Sequence, residues 1–516
     1  MVNILKGINI PLNRAEGDLE IRVEVEDGII IEAWSSGTLF RGFENMMRGR
    51  GALDGLVITP RICGICSLTH LTAAVEALDA IAGVTPPDNA YRLRNLALMV
   101  EIIQSDVRQA LLMFMVDFAN KEAYQDHQLG TEARQRYNPL QGSAAIEAIR
   151  ETKRLLQIVA IIGGQWPHTS FMVPGGVTSI PEISKILQCR IIYERFCSWY
   201  ERIVLGCSID RWLEIRCMDD LNNWLDESPT HRQSEIGFFL RFARLAGLDR
   251  LGRGSGRFLS YGNFTLPAET SLTDIDGRLL GAGFAVGTAV FPFLPTKISE
   301  DISHAWYEQA AGPLHPSVGV TRPHAAGQSG RSYSWVKAPR YAGEAAETGP
   351  LAEMIIAGNP LFQGMIAGDG ANVLARELAR LARPAHLLKP MATLLAELLA
   401  RHTDSFYRTA TTIPDGESAG MIGAARGALG HWVKVEDGKI AHYQVITPTA
   451  WNGSPRDAQG GRGPWEEALI GTPIKDVSNP VEAGHVVRSF DPCLVCAVHT
   501  LQKGEKKGLL SLGCAP

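Results

Sequence analysis

The sequence predicts an α+β protein: a large helix-bundle body carrying small β-rich lobes at its periphery. Three patterns point to it. Residues 70–82 and 89–119 carry the 3.6-residue apolar period with no proline inside, and residues 146–162 and 183–224 repeat that period. Residues 18–34 alternate apolar and polar side chains around an Asp27-Gly28 turn, the pattern of a β-hairpin. Residues 254–295 change texture to Gly, Thr, Phe and Asp-Gly turns, the mark of a small β lobe.

In chain order, short strands come first, long helices fill the middle and the β lobe follows. Helices are expected to resume near Ser299 and again over 371–401. Towards the C-terminus, short strands and turns return around HWVKVEDGKIAHYQVITP. No Pro/Gly/Ser linker, charge run, internal repeat or low-complexity tract divides the chain, which reads as one packed body.

Composition narrows the function classes. With 516 residues, 45% of them apolar, and a net charge of −5, the chain can bury a large core and is not disordered. It offers no basic stripe, so nucleic acid is not an expected partner. The apolar run over 155–162, interrupted by Gln157, falls far short of the roughly 18–20 residues of a spanning helix, so no direct membrane span is expected. Charges arrive too early in MVNILKGINIPLNRAEGDLE for a secretory signal, so a cytoplasmic location is expected. In that compartment the nine cysteines are reduced, and close pairs are metal ligands or redox groups more often than disulfides.

Two Cys-x-x-Cys pairs lie near opposite ends of the chain: Cys63 with Cys66, and Cys493 with Cys496. Either pair alone fits a thioredoxin-like dithiol or chance; together they can form a tetrathiolate site. Structural zinc is the plain alternative. Zinc usually staples units with too little core, however, and this chain has an ample one. Thiolates also suit nickel and iron, so spacing leaves the metal open.

The blocks flanking these pairs narrow the choice. Arg14-Ala15-Glu16-Gly17, Phe40-Arg41-Gly42-Phe43-Glu44, RICGICSLTH from Arg61, PHTSFMVPGGV from Pro167, RGALGHW from Arg426, TPTAWN from Thr447 and DPCLVCAVH from Asp491 closely resemble the large subunit of nickel–iron hydrogenases. They occur in the family's order from residue 14 to residue 499. The LNRAEGDLE and RICGICS forms look more like the cytoplasmic group of uptake enzymes and hydrogen sensors than like periplasmic members.

The resemblance implies the hydrogenase large-subunit fold, and it implies roles. Cys63, Cys66, Cys493 and Cys496 would bind nickel, with Cys66 and Cys496 also bridging to an iron that carries carbon monoxide and cyanide. A terminal thiolate such as Cys493 could accept the proton released when dihydrogen splits heterolytically. Arg426 matches an arginine above the open metal position, able to polarise dihydrogen or act as a base with depressed pKa, and Asp491 is its expected acidic partner. Its frame departs from the family, with Gly423-Ala424-Ala425-Arg426 standing for the commoner Glu-Ala-Pro-Arg. A second carboxylate partner falls at Ser105, beside Asp106, and is not assigned.

Glu16 matches the carboxylate that takes the proton outward. Glu44, His499 and a carbonyl near Val445 match the protein ligands of a magnesium ion. Pro448 and Thr449 match donors to the iron cyanides. His70 would neighbour a bridging cysteine; on residue type alone, His70 and His168 are core histidines satisfied by backbone carbonyls. Cys189, Cys197, Cys207 and Cys217 are expected to be buried apolar thiols in a helical stretch, and Cys514 follows no ligand motif.

By resemblance, 1–499 is the hydrogenase body and 500–516 an extension that a maturation endopeptidase removes after His499. The resemblance implies reversible oxidation of H2, with uptake as the expected direction. Electrons leave through a separate iron–sulfur small subunit, because this chain has no further cysteine clusters, and any membrane association would come through partner subunits. The tail argues against a regulatory hydrogen sensor, while Ile65, at a gas-channel position where sensors carry bulk, points weakly towards one. Quinone-site relatives of respiratory complex I lack the four cysteines.

Overall fold

Asp27 and Gly28 both adopt positive φ, 49° and 80°, as a two-residue turn between right-twisted strands requires. The strand Leu19–Glu26 therefore folds directly onto Ile29–Gly37, and Ile4–Pro11 adds an antiparallel third strand. The computed structural model describes residues 4–11, 19–124, 126–139, 141–273, 275–308, 312–324, 331–409 and 412–493.

The helical expectations are met with interruptions. Helices run Ser67–Ile81 and Asp88–Arg108, the second continuing through a π-helical turn, Gln109–Phe114, and a 3-10 turn, Met115–Ala119. Residues 143–163 form Ser143–Leu155 and Gln157–Gly163. The expected helix over 183–224 is broken. Ile183–Trp199 passes through a π turn to Gly206, whose φ of 75° ends it, and two shorter helices follow, Ile209–Leu213 and Met218–Glu227.

The Gly-rich segment forms the three-stranded antiparallel sheet Arg257–Thr265, Arg278–Val286 and Ala289–Phe291. No helix resumes near Ser299. Instead Ile298–Asp301 pairs antiparallel with Ala338–Tyr341. Pro313, Pro316 and Pro323 follow closely and remove backbone donors a helix would need, so Ile298 and Asp301 are buried by strand pairing. Helices return at Pro350–Ile356 and Val373–Ala400; the latter accommodates Pro384 and Pro390 and packs on Asp88–Arg108.

The C-terminal strands Gly416–Ala424, Gly427–Glu436 and Lys439–Ile446 form an antiparallel meander. The helix Ser67–Ile81 lies on it so closely that a Cβ at Gly420 would sit 1.9 Å from the Ala73 carbonyl oxygen. Only glycine permits that approach. The start of the helix, at Cys66, is thereby brought against the end of the hairpin carrying Arg426. Among the described residues no helix is long and apolar enough to cross a membrane.

Candidate metal centre

Cys63 and Cys493 come from opposite ends of the chain, yet their sulfurs lie 3.6 Å apart in a fully buried pocket. That is too long for a disulfide, and thiolates sharing one ion at about 2.3 Å stand roughly 3.3–3.8 Å apart. Cys66 caps the helix Ser67–Ile81, and its N–H donates to the Cys63 sulfur at 3.4 Å. Ile62, Ile65, Phe43 and Val445 form the apolar wall. Cys496 lies outside the described residues, as do Glu16 and His499. Among the described residues no complete set of three ligating side chains converges; the pocket shows the part built by Cys63, Cys66 and Cys493.

The backbone around the thiols is held from several directions. Glu101, a buried carboxylate on Asp88–Arg108, accepts from the Leu68 and Thr69 N–H groups at 2.8 and 2.9 Å and from the Thr69 hydroxyl at 2.9 Å. It fills the helix N-terminus that follows Cys66. Burial pushes Glu101 up to about 7 despite these donors. On the other side, Thr449 Oγ1 accepts the Cys493 N–H at 3.2 Å, which leaves the Thr449 hydroxyl proton available to the pocket. Pro448 starts the helix Pro448–Asn452 and has no N–H, so it donates nothing; donors there come from the Thr449 hydroxyl and from N–H groups that a first helical turn leaves open.

Arg426 stands in the tight turn between Gly416–Ala424 and Gly427–Glu436, 7% exposed. Its Nε lies 3.1 Å from Asp491 Oδ1. Among the described residues Nε and Nη1 of Arg426 and Oδ2 of Asp491 have no well-directed hydrogen-bond partner. Burial opposes the guanidinium charge, but Asp491 and the thiols of Cys493, Cys63 and Cys66 outweigh it and raise the pKa well above its usual value. Asp491 and the three thiols favour the charged fork, the form suited to polarising a bound molecule. Buried thiols beneath a buried cation with unfilled donors fit a soft metal carrying acceptor ligands.

His70 is not satisfied by a carbonyl. Its Nδ1 lies 3.0 Å from Nε2 of His431, whose Nδ1 meets the Tyr443 hydroxyl at 2.8 Å. Burial lowers His70 to about 4, so the relay is neutral at neutral pH. His168 does pair with a carbonyl, that of Pro60, at 2.9 Å.

Glu44 occupies a second polar site beside the thiols. Oε1 accepts from Gln444 Nε2 at 2.7 Å and the Val445 N–H at 3.0 Å; Oε2 accepts from Thr321 and faces Lys337 Nζ at 3.5 Å. Lys337 also lies 3.6 Å from the buried Glu300. Burial pushes Glu300 up to about 7, so Glu44 balances the ammonium and Glu300 adds a titratable carboxylate beside a cavity of about 50 Å³, oxygen donors of the kind a hard cation takes. Lys337, Glu300, Thr321, Gln444 and Glu101 were not legible as site residues; only Glu101, a charge set within the apolar run LALMVEII, carried a local signal.

Thiols drawn from both ends of one body, set beneath a buried arginine and beside a separate carboxylate site, make a buried thiol cluster of the kind that suits a soft metal. Comparison with known proteins agrees. A family model described as nickel-dependent hydrogenase matches residues 41–121 and 241–499. The periplasmic NiFeSe hydrogenase large subunit of Desulfomicrobium baculatum is 31% identical, over 96% of this chain and 95% of that one. The uptake hydrogenase large subunit of Rhizobium leguminosarum bv. viciae is 28% identical, over 95% and 94%. The solved H2-activated NiFeSe hydrogenase of Dm. baculatum superposes with a TM-score of 0.80 at 30% identity, covering 97% of this chain and 100% of that one. The chain belongs to the nickel-dependent hydrogenase family. It is a hydrogenase large subunit, an oxidoreductase acting on H2 at a nickel-containing site.

Proposed function

We propose that this chain oxidises H2 as an uptake hydrogenase and passes the electrons to an iron–sulfur small subunit. The observation that carries the reading is the Cys63–Cys493 sulfur pair, 3.6 Å apart beneath Arg426. Cys63, Cys66, Cys493 and Cys496 would hold the nickel together with an iron carrying carbon monoxide and cyanide. When bound, that centre supplies the redox-active Lewis acid at which H2 is cleaved.

The chain's own residues do the rest. Arg426, fixed by Asp491, polarises the reacting molecule; the Cys493 sulfur takes the proton, and Glu16 passes it outward. The Thr449 hydroxyl would donate to the cyanides, and Glu44, with His499 and the Val445 carbonyl, would hold magnesium. His499 becomes the C-terminus once an endopeptidase removes 500–516. A cytoplasmic location goes with this reading, although one relative is named periplasmic.

The test is Cys66→Ser and Cys496→Ser in protein made alongside its maturation machinery. Both should lose nickel, iron and H2-dependent dye reduction together. Stoichiometric zinc without nickel in the unmutated protein would overturn the reading. Intact mass of the active complex should end the large subunit at His499, and a fully active subunit still carrying 500–516 would refute the processing step.

A further inference from the structure

The turn that presents Arg426 is gripped from behind by a buried guanidinium. Arg383, on Val373–Ala400, forms a two-pronged pair with Asp106 of the helix Asp88–Arg108, Nε to Oδ2 at 2.8 Å and Nη2 to Oδ1 at 2.6 Å. Its Nη1 donates to Glu353 Oε2 at 2.7 Å, and Nη2 also donates to the carbonyl of Ala425, the residue before Arg426, at 2.5 Å. All three charged side chains are at most 5% exposed. On the strand Gly416–Ala424, which leads into that turn, the Gly423 carbonyl accepts from Asn263 Nδ2 of Arg257–Thr265 at 2.7 Å.

Gly423 carries no side chain and leaves space beside its backbone. A Cβ there would sit 2.8 Å from Glu353 Oε1 and 2.8 Å from Asn263 Nδ2. A carboxylate from the helix Pro350–Ile356 thus stands where a residue-423 side chain would begin, and that oxygen has no hydrogen-bond partner among the described residues.

We propose that Arg383 is a positioning residue for Arg426, fixing its turn through the Ala425 carbonyl, and that Glu353 fills the space vacated by Gly423 to hold Arg383 in place. The proposal rests on the reading of Arg426 given above. The fork is what matters, since a lysine ammonium cannot hold Asp106, Glu353 and a carbonyl in one plane. Loss of the grip lets the Arg426 guanidinium drift, and a displacement of about 1 Å at a reacting site can cost about 100-fold.

The experiment is a double-mutant cycle on the purified hydrogenase. Arg383→Lys should keep nickel at wild-type content, raise amide hydrogen exchange in the 416–430 peptide, and lower turnover roughly 10–100-fold. In an Arg426→Lys background the same change should alter turnover less than twofold, because residues acting as a unit are not additive. If Arg383→Lys multiplies its full cost onto Arg426→Lys, Arg383 is merely structural and the proposal falls. If Arg426→Lys alone turns over like wild type, the reading of Arg426 has failed, and the clamp has nothing to position. Should Arg383→Lys not fold, Glu353→Gln serves in the cycle, with a several-fold loss that must also vanish beside Arg426→Lys. Gly423→Ala should reproduce the exchange signature, and unchanged exchange in both Gly423→Ala and Glu353→Gln would count against the packing of Glu353 on Gly423.

Discussion

The molecule keeps two populations of cysteine, and burial does not separate them. Cys63, Cys493 and Cys189 are all fully buried. Cys189 and Cys197 lie on the helix Ile183–Trp199, where burial pushes both thiols up to about 12. Cys207 accepts the Trp224 indole N–H at 3.3 Å. Cys217, expected to be buried, is exposed, because it caps the N-terminus of Met218–Glu227 at the surface and accepts the Asp220 N–H. Cys63 and Cys493 instead share a pocket with a cation. A thiol's chemistry here follows from what converges on it, a guanidinium, backbone donors and a second sulfur, and depth alone yields an inert side chain.

The sharpest way to break this contrast is to remove one thiol from each population. Cys493→Ala should abolish H2 oxidation and nickel binding, whereas Cys189→Ala should leave both intact and cost roughly 1 kcal/mol in stability. Metal analysis and thermal melts of the two variants decide it; equal nickel content in both would erase the distinction.

A second probe asks whether the converged set extends to Glu16. Glu16→Gln keeps shape without an exchangeable proton, so steady-state oxidation should fall roughly 10²–10⁴-fold with nickel retained. Unchanged proton–deuterium exchange between H2 and solvent would exclude this route. A third asks what the cation contributes. Arg426→Lys should retain the metal yet lose roughly 10–100-fold in turnover, since a point charge replaces a planar fork.

The candidate cysteine site could be read from the sequence because its residues come as short local pairs, each readable without knowing where the other lies. Arg426, Glu44 and Thr449 were visible only through resemblance to a family. Arg383, Glu353 and Asp106 were invisible for a physical reason: Arg383 and Asp106 are 277 residues apart in sequence, and nothing local marks a buried charge whose partner comes from another helix. The strand Ile298–Asp301 was misread for the same reason, since its partner Ala338–Tyr341 lies far along the chain. Helix periodicity, a local property, was read well except where Gly206 ended a run.

The smallest effect concerns the dispersed thiols alone. At pH 8 a thiol with pKa about 12 is thiolate to roughly 1 part in 10⁴, and raising the pH to 9 increases that only tenfold. A small alkylating reagent should therefore label the exposed Cys217 first and leave Cys189 and Cys197 largely unmodified at both values, as peptide mass mapping of the folded protein can check. Rapid labelling of Cys189 at pH 8 would show that the helix opens or that its thiol is less shielded.

The central claim is that Cys63, Cys66 and Cys493, with Cys496, hold a nickel–iron centre. Infrared spectroscopy of the purified, matured protein tests it most directly. The account predicts carbonyl and cyanide stretching bands, present in the wild type and in Arg426→Lys and absent in Cys493→Ala. A protein that binds metal at these cysteines and shows no such bands would contradict it, because zinc or an iron held by thiolates alone produces none.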